Sequence, residues 1–317
     1  MDVLSDVIAL MRTGSPRSAR VEWRAPWGQR FPSVPGSAGF QVILRGAGWL
    51  IPPDGDPIAL SMGDVVFFPH GHGYAMADSP STPLAEPDCD PLDEGHGLFA
   101  DAPVDGPVSA VLLCGGYRLD PSRAHPILRE LPDMIHLPAR LGLHSELRAA
   151  VEALGAEIQR PRLGADTVVS SLLDLLLLYI LRAWFQGEHG HCSVGGWTDA
   201  LADPGISAAL DAIHRDPAHP WTVEELGARA GLSRAAFSRR FGALVGRPPL
   251  TYITWWRLAT AARLMRESDA PLGQIAAKVG YTSEFAFANA FKREYTVAPG
   301  KYRREVCPLP TGELLKT

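Results

Sequence analysis

The chain has few cysteines, no long apolar run free of polar residues, and no overall excess of positive charge. Cys89, Cys114, Cys192 and Cys307 are widely spaced and form no CxxC pair. That excludes a disulfide framework or a zinc finger, and a reducing, cytoplasmic setting is expected. The opening MDVLSDVIALM is acidic and its apolar stretch is short, so no secretory signal is expected. The greasiest stretch, Val168 to Phe185, is interrupted by Ser170, Ser171, Asp174 and Arg182. Such groups are costly in lipid, so a buried or partner-facing helix is expected there, with no membrane partner. The net charge of −5 would argue against nucleic acid if it were evenly spread. It is not. Trp221 to Arg304 holds 14 Lys/Arg against 6 Asp/Glu, a local balance of +8, which leaves −13 for the remainder. A basic block on an acidic protein is the asymmetry expected when one end meets phosphate.

What is present falls into three regions. Residues 1 to about 125 are rich in Gly and Pro and broken into short β-type runs. Phe40–Leu50, Pro57–Pro69 and Val108–Leu119 read as strands between turns, and the pattern predicts a sandwich or barrel. Ser79 to Pro107 is acidic and Pro/Gly-rich, and reads as a long surface loop. From His144 the spacing turns helical: Leu147, Val151, Leu154 and Ile158 share one face. A second helix, ADTVVSSLLDLLLLYILRAWF, is apolar over most of its circumference and needs cover on several sides. Its neighbour covers one side, and a second copy of the chain is the simplest cover for another. A Gly-rich linker, Gly187 to Trp197, follows.

After Pro220 the helix signals are dense. Thr222 stands three residues before Glu225, a capping box. Val223, Leu226 and Ala230 supply a buried face and Gly231 a turn. Ser233 then caps SRAAFSRRFGAL, with Phe237, Phe241 and Leu244 on one side and Arg234, Ala235, Ser238 and Arg239 on the other. Helix, Gly turn and a short second helix with a small, basic exposed face make a helix-turn-helix. The grammar then recurs: Pro271 near the start of LGQIAAKV, Gly280 at the turn, and Ser283 capping EFAFANAFKR. Phe287 and Phe291 stand fifty residues after Phe237 and Phe241. A helix over about Leu250 to Arg266 can join the two units rigidly.

Residues 221 to 303 resemble the AraC/XylS DNA-binding domain. IAAKVGYTSEFAFANAFKR (Ile275 to Arg293) is similar to that family's signature, and PGKYR (Pro299 to Arg303) to its ending. Thr296 stands where the family usually has Gly, and Ala298 where Ser is common, which puts a turn geometry in question. The resemblance implies double-stranded DNA and RNA polymerase as partners, with two recognition helices in adjacent major grooves about one turn (~34 Å) apart. It implies base reading by Ala235, Ser238 and Arg239 in the first unit, and by Glu284, Phe285 and Asn289 in the second. Arg239 suits guanine, Asn289 adenine, Glu284 cytosine, and Phe285 and Ala235 thymine methyls. Arg234, Arg240, Lys292, Arg293 and Arg303 would hold phosphates.

GDVVFFPHGHGY (Gly63 to Tyr74) resembles the second cupin motif, with Tyr74 at the final His position and Gln41 where the first motif could place a His. LLCGGYRLD and HPILRELP resemble the cupin type fused to AraC domains. The expected architecture is α+β: a cupin-like sensing barrel over 1–135, a helical dimerisation segment over 140–190, and a double helix-turn-helix over 200–305. The chain is then a homodimer that responds to a small molecule, metal or oxidative signal. Effector candidates are His70, His72, Tyr74 and Cys114. A divalent metal such as zinc could be held by His70, His72, Cys89 and Cys114, with His96 nearby in sequence, since His70 and His72 would share a face in an extended strand. A thiol switch between Cys89 and Cys114 is disfavoured, because EPDCDPLDE is acidic and opposes thiolate formation. Two rivals come from other classes. A cupin oxygenase or isomerase would need three or four metal ligands, and Gln41 and Tyr74 occupy two of the places. A cysteine alkyl-acceptor would need an activated Cys beside a metal cluster, which four scattered cysteines do not supply.

Overall fold

The computed structural model describes residues 3–11, 16–86, 107–118, 125–139, 144–187 and 196–306. Cys89, His96, Cys192, Cys307 and much of the acidic loop therefore lie outside the described residues. The chain forms two compact units, one of residues 11–192 and one joining residues 1–10 to 193–317. Three segments were expected from the sequence. The helices after the barrel pack into the barrel's own unit, and residues 3–10 pack into the C-terminal one.

The residue 11–192 unit has two antiparallel sheets. In chain order the strands are β1 (Arg17–Arg24), β2 (Gly28–Phe31), β3 (Ser37–Arg45), β4 (Ala47–Ile51), β5 (Ile58–Ser61), β6 (Val65–Phe68), β7 (Tyr74–Ala77), β8 (Val108–Arg118) and β9 (Ile135–Leu137). One sheet runs β1-β8-β3-β6-β9 and the other β2-β7-β4-β5. Alternation aims one face of each strand inward. Trp23, Trp27, Ile43, Leu50, Leu60, Val66, Phe68, Met76, Ala110 and Leu112 form the shared core. Two of the expected single strands are each a pair. Gly46 (φ +79) breaks the run from Phe40, and Gly63 (φ +92) turns the run from Pro57. An added Cβ at Gly46 would lie 2.2 Å from the Ser109 carbonyl oxygen, so only glycine fits there.

The sheet's outer face carries Phe40 and Tyr117, which pack tilted at 6.1 Å. The first α-helix of the chain is α1 (Val3–Met11), and α2 (Pro126–Arg129) precedes β9. Then come α3 (Ser145–Gln159) and α4 (Ala165–Gln186), packed on each other. The Tyr117 hydroxyl donates to the Leu173 carbonyl at 2.6 Å, tying α4 to the barrel. α4 is the one helix among the described residues long and apolar enough to cross a membrane. Leu173, Leu176, Leu177, Ile180 and Leu181 are buried within the chain, whereas Val168 and Leu175 are each 41% exposed. Leu176 and Leu177 therefore face inward, and the outward stripe runs through Val168, Leu172, Leu175 and Tyr179 at heptad-like spacing.

The other unit is helical: α5 (Trp197–Ala202), α6 (Pro204–Arg215), α7 (Val223–Arg229), α8 (Arg234–Val245), α9 (Pro249–Glu267), α10 (Leu272–Lys278), α11 (Glu284–Tyr295) and α12 (Pro299–Val306). Asp203 caps α6 by accepting from Gly205 N and Ile206 N, with Pro204 at the first helical position. α1 belongs here: Val3, Val7 and Ile8 are buried, and the Asp6 carboxylate lies 3.3 Å from His214 Nδ1. The His214 ring stacks on Trp256 at 3.6 Å, and its Nε2 meets the Tyr252 hydroxyl at 2.7 Å.

Candidate functional site

The two helix-turn-helix units are built by the same local chemistry. Thr222 accepts from Glu225 N at 3.1 Å, starting α7. The reciprocal half of the expected capping box is replaced, because the Glu225 carboxylate meets His219 Nε2 at 2.9 Å. Gly231 (φ +67) and Gly280 (φ +84) make the turns. Ser233 and Ser283 cap α8 and α11 by accepting from Ala236 N and Ala286 N. Phe237, Phe241, Phe287 and Phe291 are fully buried and anchor the two helices. The fifty-residue register extends further than the Phe pairs. It relates Tyr252 to Tyr302, both buried, and the C-caps Gly246 (φ +74) and Thr296 (φ +61), both left-handed. The question raised by Thr296 is thus answered: it adopts the glycine geometry.

With the Phe stripe buried, the opposite faces of α8 and α11 are offered outward. Ala235, Ser238 and Arg239 are exposed on α8, and Glu284, Phe285 and Asn289 on α11. Phe285 is 78% exposed, an unusual place for a phenyl ring unless it meets a partner. Arg239 and Asn289 occupy the same register position, five to six residues into their helices. Among the described residues no hydrogen bond or ion pair engages Arg239 or Lys292. The other basic candidates differ. Arg240 is ion-paired with Asp203, and its register mate is Ala290, which faces the core. Burial would raise the Asp203 carboxyl, but hydrogen bonds from Ile206 N and Arg240 outweigh it and hold the carboxyl below its usual range. Arg234 pairs with Glu224 at 2.8 Å, and Arg293 Nε contacts the Asn289 carbonyl at 3.4 Å. Arg303, also expected to hold phosphate, is half-buried and donates to the Ala270 carbonyl at 2.7 Å, bracing α12.

The barrel residues separate into two places. Cys114 on β8 lies opposite Gln41 on β3, and Gln41 opposite Val66 on β6, so the three share the inward face. Gln41 is 3% exposed and donates from Nε2 to the Tyr74 hydroxyl at 2.8 Å, joining the two sheets. The Tyr74 ring stacks on Phe68 at 3.8 Å and on Phe31 at 4.8 Å. The two positions where a cupin could carry metal-binding histidines are thus bonded to each other. Burial pushes the Tyr74 hydroxyl and the Cys114 thiol well above their usual ranges. Cys114 also donates to the Ala19 carbonyl at 3.3 Å, and as a protonated, buried thiol it is a poor redox group.

His70 and His72 are elsewhere. They lie on the connector between β6 and β7, bent at Gly71 (φ +66), and not on an extended strand. Their rings are 5.7 Å apart, His70 Nε2 donates to the Leu131 carbonyl at 2.9 Å, and His72 pairs with Asp133 on the surface. Among the described residues no three His, Cys, Asp or Glu side chains converge as a metal site. The zinc expectation from His70, His72 and Cys114 is not assembled, and its fourth member, Cys89, lies outside the described residues. The Gln41–Tyr74 bridge is the feature that sequence reading missed. Both residues stood out as departures from the cupin pattern, and their contact across sheets was the unread part.

A family model described as a cupin matches residues 2–186, and one described as a helix-turn-helix domain matches residues 226–305. An AraC-like transcription regulator of Streptomyces antibioticus is 35% identical over 317 residues, covering 97% of this chain and 100% of that protein. One from Streptomyces lividans is 35% identical over 312 residues, covering 96% and 98%. Among solved structures, the DNA-binding domain of AdpA in complex with a target DNA is 33% identical, with a TM-score of 0.32, covering 33% of this chain and 97% of that one.

Proposed function

The chain belongs to the AraC family of transcription regulators, with a cupin domain ahead of its helix-turn-helix pair, and from that premise we propose that α8 and α11 read adjacent major grooves of one duplex. The carrying observation is the outward face of each recognition helix, held by buried Phe pairs in fifty-residue register. In this reading Ala235, Ser238, Arg239, Glu284, Phe285 and Asn289 meet base edges. Lys292 and Arg293 meet phosphate directly, while Arg234 and Arg240 must first leave Glu224 and Asp203. The regulator acts in the cytoplasm and meets RNA polymerase on DNA. No observation favours the oxygenase or isomerase reading.

Two further parts belong to the same reading. The chain dimerises through the outward stripe of α4, whose Val168 and Leu175 are large apolar side chains left open by the protomer. A small effector is sensed in the barrel near Gln41, Tyr74 and Cys114, where the buried Gln41 Oε1 has no hydrogen-bond partner among the described residues. An unsatisfied acceptor in an apolar core favours a ligand or water that can donate to it.

The test is Arg239→Ala. A bidentate guanine contact supplies ~1–3 kcal/mol of discrimination, so the specific site weakens by that amount while scrambled duplex binds nearly as before. Titrations against both duplexes at two salt concentrations read this out. Equal losses on both, with the salt slope lowered by about one, would make Arg239 a phosphate contact.

A further inference from the structure

We propose that the spacing between the two recognition helices is set by a lock at the middle of the linking helix, in which Arg257 pins the Pro217–His219 loop of the first unit against the Gly280 turn of the second. The inference rests on reading α8 and α11 as a recognition pair. Arg257 lies midway along α9. Its Nε donates to the Pro217 carbonyl at 2.6 Å and its Nη2 to the His219 carbonyl at 2.8 Å. Both acceptors are in the loop that leads into α7.

The same loop touches the second unit. A Cβ added to Gly280 would lie 2.8 Å from the Ala218 carbonyl oxygen, 2.9 Å from its Cα and 3.0 Å from the Arg257 guanidinium carbon. The turn between α10 and α11 therefore rests directly on Ala218, with the guanidinium at the joint. The loop is itself stiffened from the first unit's side. Trp221 Nε1 donates to the Asp216 carbonyl at 2.9 Å, His219 pairs with Glu225 on α7, and Arg229 lies over the Trp221 ring.

The physical need for such a lock follows from leverage. α9 has 19 residues and is about 28 Å long. α9 is packed into the first unit through Tyr252, Ile253, Trp255 and Trp256 and into the second through Leu258, Ala261, Ala262 and Met265, so rocking of one unit about this shared helix is best resisted by a contact off its axis. Over the ~34 Å between neighbouring major grooves, a swing of about 10° moves the far recognition helix by roughly 6 Å, more than the 3.4 Å rise of a base pair. A third contact away from the α9 axis removes that freedom. The Arg257 guanidinium, like any arginine's, is charged, so both bonds to carbonyls are charge-assisted.

Arg257 and Gly280 are thus positioning residues, and they touch no base. The test uses the full chain. Selection from a randomised duplex pool yields its preferred two-part site, and duplexes are then made with the spacer lengthened or shortened by one and two base pairs. Wild type should lose about ten-fold in affinity at a one-base-pair change, as for a lost base contact. Arg257→Ala and Gly280→Ala should flatten that ratio to about two-fold while still binding the optimal site. Arg257→Lys, which keeps the stem and a charged donor, should fall between them. If Arg257→Ala does not fold, Arg257→Lys and Gly280→Ala carry the comparison.

A variant that binds more weakly by the same factor at every spacing would show that the lock serves stability alone, and would overturn the proposal. So would unchanged spacing preference at unchanged affinity. Failure of the selection to return any two-part site would instead overturn the recognition-pair reading on which the proposal rests.

Discussion

The C-caps of the two recognition helices allow a reciprocal experiment, because the same backbone geometry is filled by Gly246 in one unit and Thr296 in the other. A left-handed backbone costs an L-residue about 1–2 kcal/mol, and a β-branched side chain sits at the upper end. Replacing Thr296 with glycine removes that cost. It gives back part through the greater freedom of glycine in the unfolded chain, about 0.5–1 kcal/mol. It also loses the exposed hydrogen bond from Thr296 Oγ1 to the Tyr295 carbonyl, a contact of small net value on the surface. Thr296→Gly should therefore stabilise by about 0.5–1 kcal/mol and raise the melting temperature by about 2–5 °C. Gly246→Thr should do the reverse by a similar amount. Apart from its chain neighbours, no atom lies within 4 Å of a Cβ built on Gly246, so backbone strain dominates its cost. Calorimetry of the full chain follows the C-terminal unit's transition, and hydrogen exchange at the end of α11 localises the effect. If Thr296→Gly destabilised, or if both changes were neutral, the left-handed strain assigned to Thr296 would be wrong.

Two other outcomes follow from burial. Burial depresses the His214 pKa more than Asp6 and Asp211 raise it, so the folded state holds this ring neutral. The unfolded chain binds its proton near pH 6.5, so stability is present above that value and is lost as pH falls below it, at up to about 1.4 kcal/mol per unit. His214→Gln should remove that part of the slope in denaturant titrations at pH 7 and 5.5, and an unchanged slope would clear His214 of the effect. On α4, Leu175→Glu should give a monomer by sedimentation with a nearly unchanged melting temperature. Leu176→Glu buries a charge and should unfold its unit, so identical behaviour of the two variants would contradict the assigned faces.

Local chemistry made the helix-turn-helix pair readable in advance. Caps at Thr222, Ser233 and Ser283, turns at Gly231 and Gly280, and the Phe repeat all act within a few residues of one another. The barrel was less legible. β1 reads RSARVEWR, too charged to announce a strand, yet Ala19, Val21 and Trp23 alternate inward and it pairs with β8 along its whole length. Gly71 bends the segment where two histidines were expected on an extended strand. Contacts between distant residues left no local trace: Asp6 with His214, Asp203 with Arg240, Arg257 with Pro217, and Gln41 with Tyr74. The docking of α1 on the far end of the chain belongs with them, because burial of Val3 and Val7 needs a partner surface two hundred residues away.

The central claim is that two helices of one chain read two neighbouring grooves, and guanine-N7 methylation protection on the selected site tests it most directly. Two protected clusters are expected in adjacent major grooves, with centres about 10–10.5 base pairs apart on one face of the duplex. Arg239→Ala should lose protection in one cluster and keep the other. A single protected groove, or the loss of both clusters together in Arg239→Ala at saturating protein, would contradict the account.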